Sequence, residues 1–137
     1  MIFRKLGPGD EGVVERLAEQ APPAHVHELL ADDRTIFLVA FDGEGPEPVG
    51  FVLAYELLRR HGDPSQLFVY EVGVAPTARR RGVATELLRE LRRIARSRGI
   101  RHGFVLTNEA NEAAMELYRS LGGMRPNADD VLFDFEY

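Results

Sequence analysis

The sequence predicts a mixed α/β (α+β) fold, in which a mostly antiparallel sheet of six to seven strands is flanked by helices. Apolar runs of strand length alternate along the chain with amphipathic segments of helical spacing. The early strands are joined by turns, whereas a long helix separates residues 67–74 from residues 103–107, which predicts that these two central strands are parallel. The chain of 137 residues is long enough for one core, so we expect a single domain over residues 1–137.

The first half of the chain predicts two helices and an antiparallel hairpin. A strand at 2–5 precedes a helix at 9–20, whose apolar face carries Val13, Val14 and Leu17 and which ends at Pro22 and Pro23. A short helix at 24–31 follows. Strands 35–41 and 49–57 are separated by the turn-rich segment 42–48, which indicates that they pair as a hairpin.

The second half predicts strand–helix units. Strand 67–74 leads into a long helix whose buried face recurs at helical spacing and which ends at Gly99. Strand 103–107 precedes a helix at 109–121, with Asn108 as its N-cap. The tail 131–137 alternates apolar and acidic residues, which is typical of a half-buried last strand. The apolar face of the long helix consists of Val83, Leu87, Leu88, Leu91, Ile94 and Ala95.

Composition excludes several classes of chemistry. The chain has no cysteine, so disulfides, thiolate metal sites and cysteine nucleophiles are excluded, and we expect no metal site. It has no apolar run of the roughly 20 residues that span a bilayer and no apolar stretch of a secretory signal at its start, so we expect a cytoplasmic protein without a membrane partner. Residues 79–101 carry nine arginines against two glutamates, a local charge of +7 in a chain of net charge −5. A cationic segment on an acidic protein suits a bound polyanion beside a cationic second substrate.

The segment Arg79-Arg80-Arg81-Gly82-Val83-Ala84-Thr85 lies where strand 67–74 passes into the long helix. A helix start presents unpaired backbone N–H groups and the positive end of the helix dipole, which together bind phosphate. Gly82 permits close approach of a ligand to the backbone, and the arginines add charge-assisted donors. The segment therefore predicts a diphosphate site.

Two motifs resemble a known family. Arg79-x-x-Gly82-x-Ala84 at a helix start resembles the acyl-CoA signature of the GNAT superfamily of N-acetyltransferases, and Asn111, Tyr118 and Leu121-Gly122 resemble that family's second motif. The stretch Phe68-Val69-Tyr70-Glu71 before the loop, with the acidic-aromatic ending of the chain, is similar to small aminoglycoside 3-N-acetyltransferases. The resemblance implies the GNAT fold and acetyl-CoA as cofactor. It also implies an aminoglycoside as acceptor, acetylated at its 3-amino group, with antibiotic resistance as the outcome.

The resemblance also implies roles for single residues. Arg79 to Thr85 would hold the diphosphate, and Val72, Gly73 and Val74 would pair with the pantetheine arm of coenzyme A. Gly73 would mark a bulge that splays the two parallel strands, or be a structural glycine of an edge strand. Asn111 would bond the pantetheine arm or occupy the first turn of its helix.

Direct transfer from acetyl-CoA to an amine needs an acceptor for the amine proton and a donor for the departing thiolate. We expect Glu71 to be the base, although strict strand alternation would place Tyr70 and Glu71 on opposite faces and make Glu71 a structural charge. His25 and His27 are rival bases beside the acceptor site. The resemblance assigns the acid to Tyr118, whose alternative is a core aromatic.

The acidic residues Glu56, Asp129, Asp130 and Asp134 are candidate contacts for a polycationic acceptor, or else a solvated acidic surface. The acceptor could instead be a polyamine, an amino acid derivative or a protein amine. An acyl-CoA-binding regulator without catalysis is a further alternative. A nucleic-acid-binding helix is disfavoured by the net charge of −5 and by the absence of stacking aromatics among the arginines. The end strand 131–137 offers a pairing edge for a homodimer.

Overall fold

A five-stranded sheet forms the centre of the first part of the chain. The computed structural model describes residues 1–17 and 24–137, which form two compact units, Met1–Leu106 and Thr107–Tyr137. In the first unit the strands run in the order β1-β2-β3-β4-β5; the first three pairings are antiparallel, and β4 pairs with β5 in parallel. The strands are β1 (Ile2–Lys5), β2 (Thr35–Phe41), β3 (Pro48–Leu58), β4 (Ser65–Val74) and β5 (Gly103–Val105).

Helices cover both faces of this sheet. They are α1 (Glu11–Leu17), α2 (Val26–Ala31) and α3 (Val83–Ser97), and a 3-10 turn at Pro76–Ala78 precedes α3. Residues 18–23, which include the end of the predicted first helix and its proline stop, lie outside the described residues. The crossover from β4 through α3 to β5 confirms the predicted parallel pair.

Every residue of β2 is buried, because its two sets of side chains enter two different cores. Ile36, Leu38 and Ala40 belong to the core under α3, and Phe37 and Val39 belong to the core under α1 and α2. This explains why β2 reads as a continuous apolar run instead of alternating. The face toward α3 is called the α3 face below, and the other the α1–α2 face.

The long helix α3 uses the predicted stripe. Its fully buried positions are spaced by four residues, and Gly99 follows the helix with φ +75°. Leu88 and Ile94 are partly buried at the edge of the same core. The four buried residues are Val83, Leu87, Leu91 and Ala95.

The second unit consists of α4 (Glu112–Ser120) and an irregular tail. The helix starts later than predicted, and its N-cap is Asn111, not Asn108: the Asn111 Oδ1 accepts from the Ala114 N–H at 3.1 Å. Asn108 instead accepts from the Asn111 N–H at 3.1 Å, which closes the turn that precedes the helix.

The predicted last strand at 131–137 is wrong for this structure. These residues have no regular secondary structure, and Val131 and Phe133 are 74% and 78% exposed. Alternation determines which side chains share a face, but a strand also needs a neighbour for its backbone groups, and alternation does not supply one. The described residues therefore form five strands where six to seven were predicted.

Candidate active site

The loop before α3 has a backbone conformation that suits an anion-binding site. Arg80 has a positive φ of 62°, and Gly82, the N-cap of α3, has φ 76°. No side chain caps this helix end, and the first internal bond runs from the Glu86 N–H to the Gly82 carbonyl at 3.0 Å. The N–H groups of Val83, Ala84 and Thr85 therefore lie ahead of the helical bonding pattern and are directed out of the helix end.

Gly82 is required by the backbone and leaves open space in front of it. A Cβ at this position would meet nothing within 4 Å, but the left-handed φ is one that residues with side chains rarely adopt. A ligand can therefore approach the backbone here without displacing protein atoms. Three free N–H groups, a positive helix end and open space match the requirements of a diphosphate.

The three arginines of the loop are not equivalent. Arg79 and Arg80 are exposed, whereas Arg81 forms an ion pair with Asp42 in the β2–β3 hairpin, with 2.9 Å between Nη2 and Oδ2. Arg81 thereby joins the loop to the hairpin. Both partners are about half exposed, so the pair contributes little to stability and leaves Arg81 able to reorient.

The two parallel strands separate near the middle of β4. Strand β5 pairs only with Leu67, Phe68 and Val69, whereas the residues from Glu71 to Val74 pair only with β3 among the described residues. The backbone groups of Val72, Gly73 and Val74 on the β5 side therefore have no strand partner there. An extended ligand arm with amide groups can bond to such an edge.

A β-bulge lies at Tyr70. Leu53 pairs with Glu71 and the next residue, Ala54, pairs with Val69, so Tyr70 is the extra residue of β4. Val69 and Val72 both contact the core on the α3 face. Tyr70 and Glu71, which lie between them, are therefore both turned to the α1–α2 face. The expectation that they face opposite sides is wrong, because it assumed strict alternation through a strand that contains an inserted residue.

Gly73 is not the bulge that the sequence suggested, because the inserted residue of β4 is Tyr70. It pairs regularly with Phe51, and an added Cβ would lie 2.5 Å from the Phe51 Cε1. The aromatic ring occupies the space of the missing side chain. Gly73 is thus needed for packing against β3.

Glu71 lies beside aromatic hydroxyls. Burial raises the pKa of the Tyr55 phenol, and the neighbouring Tyr70 and the Glu71 carboxylate raise it further. The rings of Tyr55 and Tyr70 are 5.7 Å apart. Glu71 itself is exposed, so its carboxylate is accessible to a cationic ligand on the α1–α2 face.

A second feature on this face is a cavity of about 440 Å³. His25, at the start of α2, lines it together with Glu28 and Tyr55. His27 is exposed on α2 and does not line the cavity. The remaining lining residues are Leu29, Asp32, Arg34, Thr35, Glu56, Leu57 and Leu58.

Glu56 already has partners inside the protein. Its Oε2 accepts from the Ser65 hydroxyl at 2.9 Å and its Oε1 accepts from the Arg98 guanidinium at 3.2 Å. Arg98 also donates to the carbonyl of Asp33 at 2.7 Å, so this group ties the end of α3 to the sheet. A substrate contact by Glu56 would have to compete with these bonds.

The candidate residues of the second unit differ in their surroundings. Asn111 uses its Oδ1 as the N-cap of α4, and its amide nitrogen does not take part in that cap. Tyr118 is partly buried on α4, and burial raises its pKa above the ordinary value of 10.0. Asp129, Asp130 and Asp134 are exposed in the irregular segment.

The aromatic rings of Tyr55, Tyr70 and Phe104 lie in a row on the face that carries Glu71, and the sequence motifs do not single them out. Phe68 and Tyr70, two residues apart in β4, were a visible signal of an aromatic face. Tyr55 and Phe104 join that face only through the register of β3 and the parallel pairing of β5, which the sequence does not specify.

The described residues contain no group of three histidine, aspartate or glutamate side chains arranged to hold a metal ion. None of the helices in the described ranges has the length and apolar content needed to cross a membrane.

The chain is similar to solved acetyltransferases. An aminoglycoside acetyltransferase from an uncultured soil metagenomic sample shares 29% identity, covers 99% of this chain and 97% of its own, and superposes with a TM-score of 0.85. A second enzyme from such a sample, solved in complex with sisomicin, shares 19% identity over 99% and 94% of the two chains (TM-score 0.78). The aminoglycoside N-acetyltransferase AAC(6′)-Iy in complex with CoA shares 20% over 99% of each chain (TM-score 0.75). No curated protein sequence matches the chain.

The family assignment rests on a match that spans most of the chain. Residues 9–123 match the acetyltransferase (GNAT) family, and this range includes the loop before α3, Glu71 and Tyr118. The mixed sheet with its separated parallel strands agrees with that fold. The chain therefore belongs to the GNAT acetyltransferase family and is an N-acetyltransferase that uses acetyl-CoA.

Proposed function

We propose that this enzyme transfers the acetyl group of acetyl-CoA directly to an amine of an aminoglycoside, at the 3-amino group. The observation that carries the proposal is the position of Glu71, exposed on the α1–α2 face next to the unpaired edge of β4. A carboxylate there can receive a cationic amine beside an acyl donor bound along that edge. The likeness to an aminoglycoside acetyltransferase at 29% identity supports the acceptor class.

The donor half of the site consists of the loop and the β4 edge. Arg79, Arg80 and the N–H groups of residues 82–85 bind the diphosphate, and Arg81 adds a donor when it leaves Asp42. The backbone of Val72, Gly73 and Val74 pairs with the amide groups of the pantetheine arm, and the Asn111 amide nitrogen donates a further bond. Acetyl-CoA supplies the acetyl group as a thioester.

The reaction replaces a C–S bond with a C–N bond. The amine nitrogen attacks the thioester carbonyl, and the Glu71 carboxylate accepts the amine proton, directly or through one water. Exposure supports this role, because an accessible carboxylate can exchange its proton with solvent after each turnover. His25 lines the neighbouring cavity and is the alternative base. His27, which is exposed on α2, is proposed as a further contact of the acceptor.

Tyr118 is proposed as the donor of the proton that the thiolate takes up. Burial raises the pKa of its phenol, so the hydroxyl keeps its proton at neutral pH and is available to donate a hydrogen bond, and then the proton, to the sulfur as negative charge develops there. Solvent then returns a proton to the phenol. The alternative role of Tyr118 is that of a purely structural aromatic.

Acidic residues recognise the remaining ammonium groups of the acceptor. Asp129, Asp130 and Asp134 are exposed and suited to charge-assisted bonds with such groups. Glu56 lines the cavity wall, where it adds negative charge near the acceptor. Its carboxylate is already bonded to Arg98 and Ser65. The carboxylate contacts would favour polycationic acceptors over monoamines.

The regiochemistry has two candidates. The sequence similarity to 3-N-acetyltransferases favours the 3-amino group, and the name of AAC(6′)-Iy makes the 6′-amino group the alternative. Another small amine, such as a polyamine or an amino acid derivative, or a peptide amine, is the competing acceptor class.

We also propose that the enzyme forms a homodimer through residues 131–137. Val131, Phe133 and Phe135 are each more than 70% exposed, and Leu132 between the first two is 66% exposed, which is unusual for an isolated chain in water. Pairing with the same segment of a second copy would bury this face. Light scattering tests it: a mass of one chain at micromolar concentration contradicts the proposal.

A thiol-release assay with acetyl-CoA tests the reaction. The acceptor panel contains sisomicin, other aminoglycosides, spermidine and a short peptide with a free N-terminus. We expect acceptor-dependent thiol release with aminoglycosides and its loss in Glu71→Gln. Turnover of the peptide or of spermidine with none of the aminoglycosides would overturn the substrate class.

A further inference from the structure

Four aromatic rings form a continuous row across the α1–α2 face. Tyr55 of β3 contacts Tyr70 of β4 with 5.7 Å between ring centroids, and Tyr70 contacts Phe68 edge-on at 5.7 Å. Phe68 stacks on Phe104 of β5 at 4.7 Å and an interplanar angle of 9°. The row, here called the aromatic shelf, therefore spans three adjacent strands.

The bulge in β4 creates this shelf. Without the inserted residue, Tyr70 and Glu71 would alternate, and only one of them could lie on this face. With it, Tyr70 is turned outward and is 56% exposed, and Phe104 is 40% exposed. The shelf thus presents apolar ring surface to the outside, with the Glu71 carboxylate next to it.

The chemistry of the shelf selects one kind of occupant. Aromatic faces attract cations and pack against the C–H surface of a sugar ring, and a carboxylate attracts an ammonium group. Glu71 follows Tyr70 in β4 and is turned to the same face by the bulge, so its carboxylate lies next to the row. A flexible linear polyamine carries the ammonium groups that the carboxylate attracts, but it lacks a ring surface to cover the shelf. A rigid ring with amino substituents meets both requirements.

We propose that the aromatic shelf binds an aminated sugar ring of the acceptor, and that Tyr70 determines the preference for ring-bearing amines over linear polyamines. The inference rests on the proposed function, because it places the acceptor next to Glu71. Tyr70 acts as a positioning residue: it holds the ring so that one amino group lies at the carboxylate. Its aromatic face matters more than its hydroxyl.

Kinetics of Tyr70→Ala and Tyr70→Phe test the role. We expect Tyr70→Ala to raise KM for sisomicin about tenfold, as loss of one aromatic contact implies. KM for spermidine and for acetyl-CoA should change less than about twofold, and Tyr70→Phe should behave as wild type. Ile2→Ala is the control, since Ile2 is 47% exposed on β1, three strands away from β4. Equal effects of Tyr70→Ala on both acceptors, or none on sisomicin, would overturn the proposal.

Binding without turnover separates this inference from the proposed function. The chain contains no tryptophan, so Tyr70→Trp introduces into the shelf a single tryptophan, a fluorophore that can be excited selectively at wavelengths where tyrosine does not absorb. Titration with sisomicin in the absence of acetyl-CoA should change its emission saturably, and Phe104→Ala in the same background should weaken that response. If wild type acetylates no aminoglycoside but sisomicin changes the emission of the fluorophore, the proposed function is wrong and binding of the ring to the shelf is retained. If wild type acetylates sisomicin and the fluorophore is silent, the shelf is wrong.

Discussion

Gly82 and Gly99 form a natural pair for testing the anion site. They lie at opposite ends of α3, with φ values of 76° and 75°, and an added Cβ would meet nothing within 4 Å at either position. The substitutions Gly82→Ala and Gly99→Ala therefore impose the same backbone strain and the same absence of steric clash. Only Gly82 faces the proposed diphosphate.

The structural cost of the two substitutions should be nearly equal. A side chain in the left-handed region costs about 1–2 kcal/mol, and the stiffer unfolded chain offsets roughly 0.4–1 kcal/mol of it. The net loss in free energy of unfolding is about 1 kcal/mol for each variant, or about 4 °C in Tm for a chain of this size. Chemical denaturation and thermal melting check this part.

The functional cost should differ. At Gly82 the methyl group would project into the space of the diphosphate and lengthen bonds from the α3 N–H groups, each worth about 1.5–3 kcal/mol to a charged partner. KM for acetyl-CoA should therefore rise about tenfold or more in Gly82→Ala and stay at the wild-type value in Gly99→Ala. The thiol-release assay at saturating sisomicin measures it. Equal KM values for acetyl-CoA in the two variants would show that the diphosphate does not bind at Gly82.

Three further predictions concern Tyr118, Gly73 and Asp10. Tyr118→Phe removes the proton donor while keeping the ring, so kcat should fall about 10²-fold with unchanged KM for acetyl-CoA; an unchanged kcat in steady-state assays would leave Tyr118 structural. Gly73→Ala forces its Cβ against the Phe51 ring and should lower the free energy of unfolding by about 1–3 kcal/mol, with part of the loss restored in the double variant with Phe51→Leu; additive losses on denaturation would argue against that contact. Burial raises the pKa of Asp10, but hydrogen bonds from Arg4 and the Gly7 N–H outweigh it and hold the pKa below the ordinary 3.8. The stabilising effect is thus present above pH 3.8 and is lost as the pH falls below it. Asp10→Asn should therefore lower the free energy of unfolding at pH 7 and match wild type in strong acid. If denaturation curves give the same difference in free energy of unfolding at both pH values, this prediction is wrong.

Helices and buried strands were predictable because their signals are local. The four buried residues of α3 recur at helical spacing, and the unbroken apolar run of β2 required cover on both faces. The loop before α3 was predictable for the same reason: an arginine-rich segment with a glycine at a helix start contains its own anion-binding chemistry.

The acceptor side was less predictable because it depends on register. A single inserted residue at Tyr70 reverses the phase of β4, and only the pairing of Leu53 and Ala54 reveals it. The interpretation of Gly73 as a bulge was wrong because a glycine in a strand can also accommodate a neighbouring ring, here that of Phe51. The tail at 131–137 has the alternation of a strand, but pairing depends on a partner outside the segment.

Product analysis after incubation of the enzyme with acetyl-CoA and sisomicin tests the proposed function most directly. We expect one acetyl group per sisomicin by mass spectrometry and, by NMR, its location on the 3-amino nitrogen, with both signals absent in Glu71→Gln. Acetylation at the 6′-amino group would correct the regiochemistry alone. Unmodified sisomicin, with acetyl-CoA consumed by another amine, would contradict the central claim.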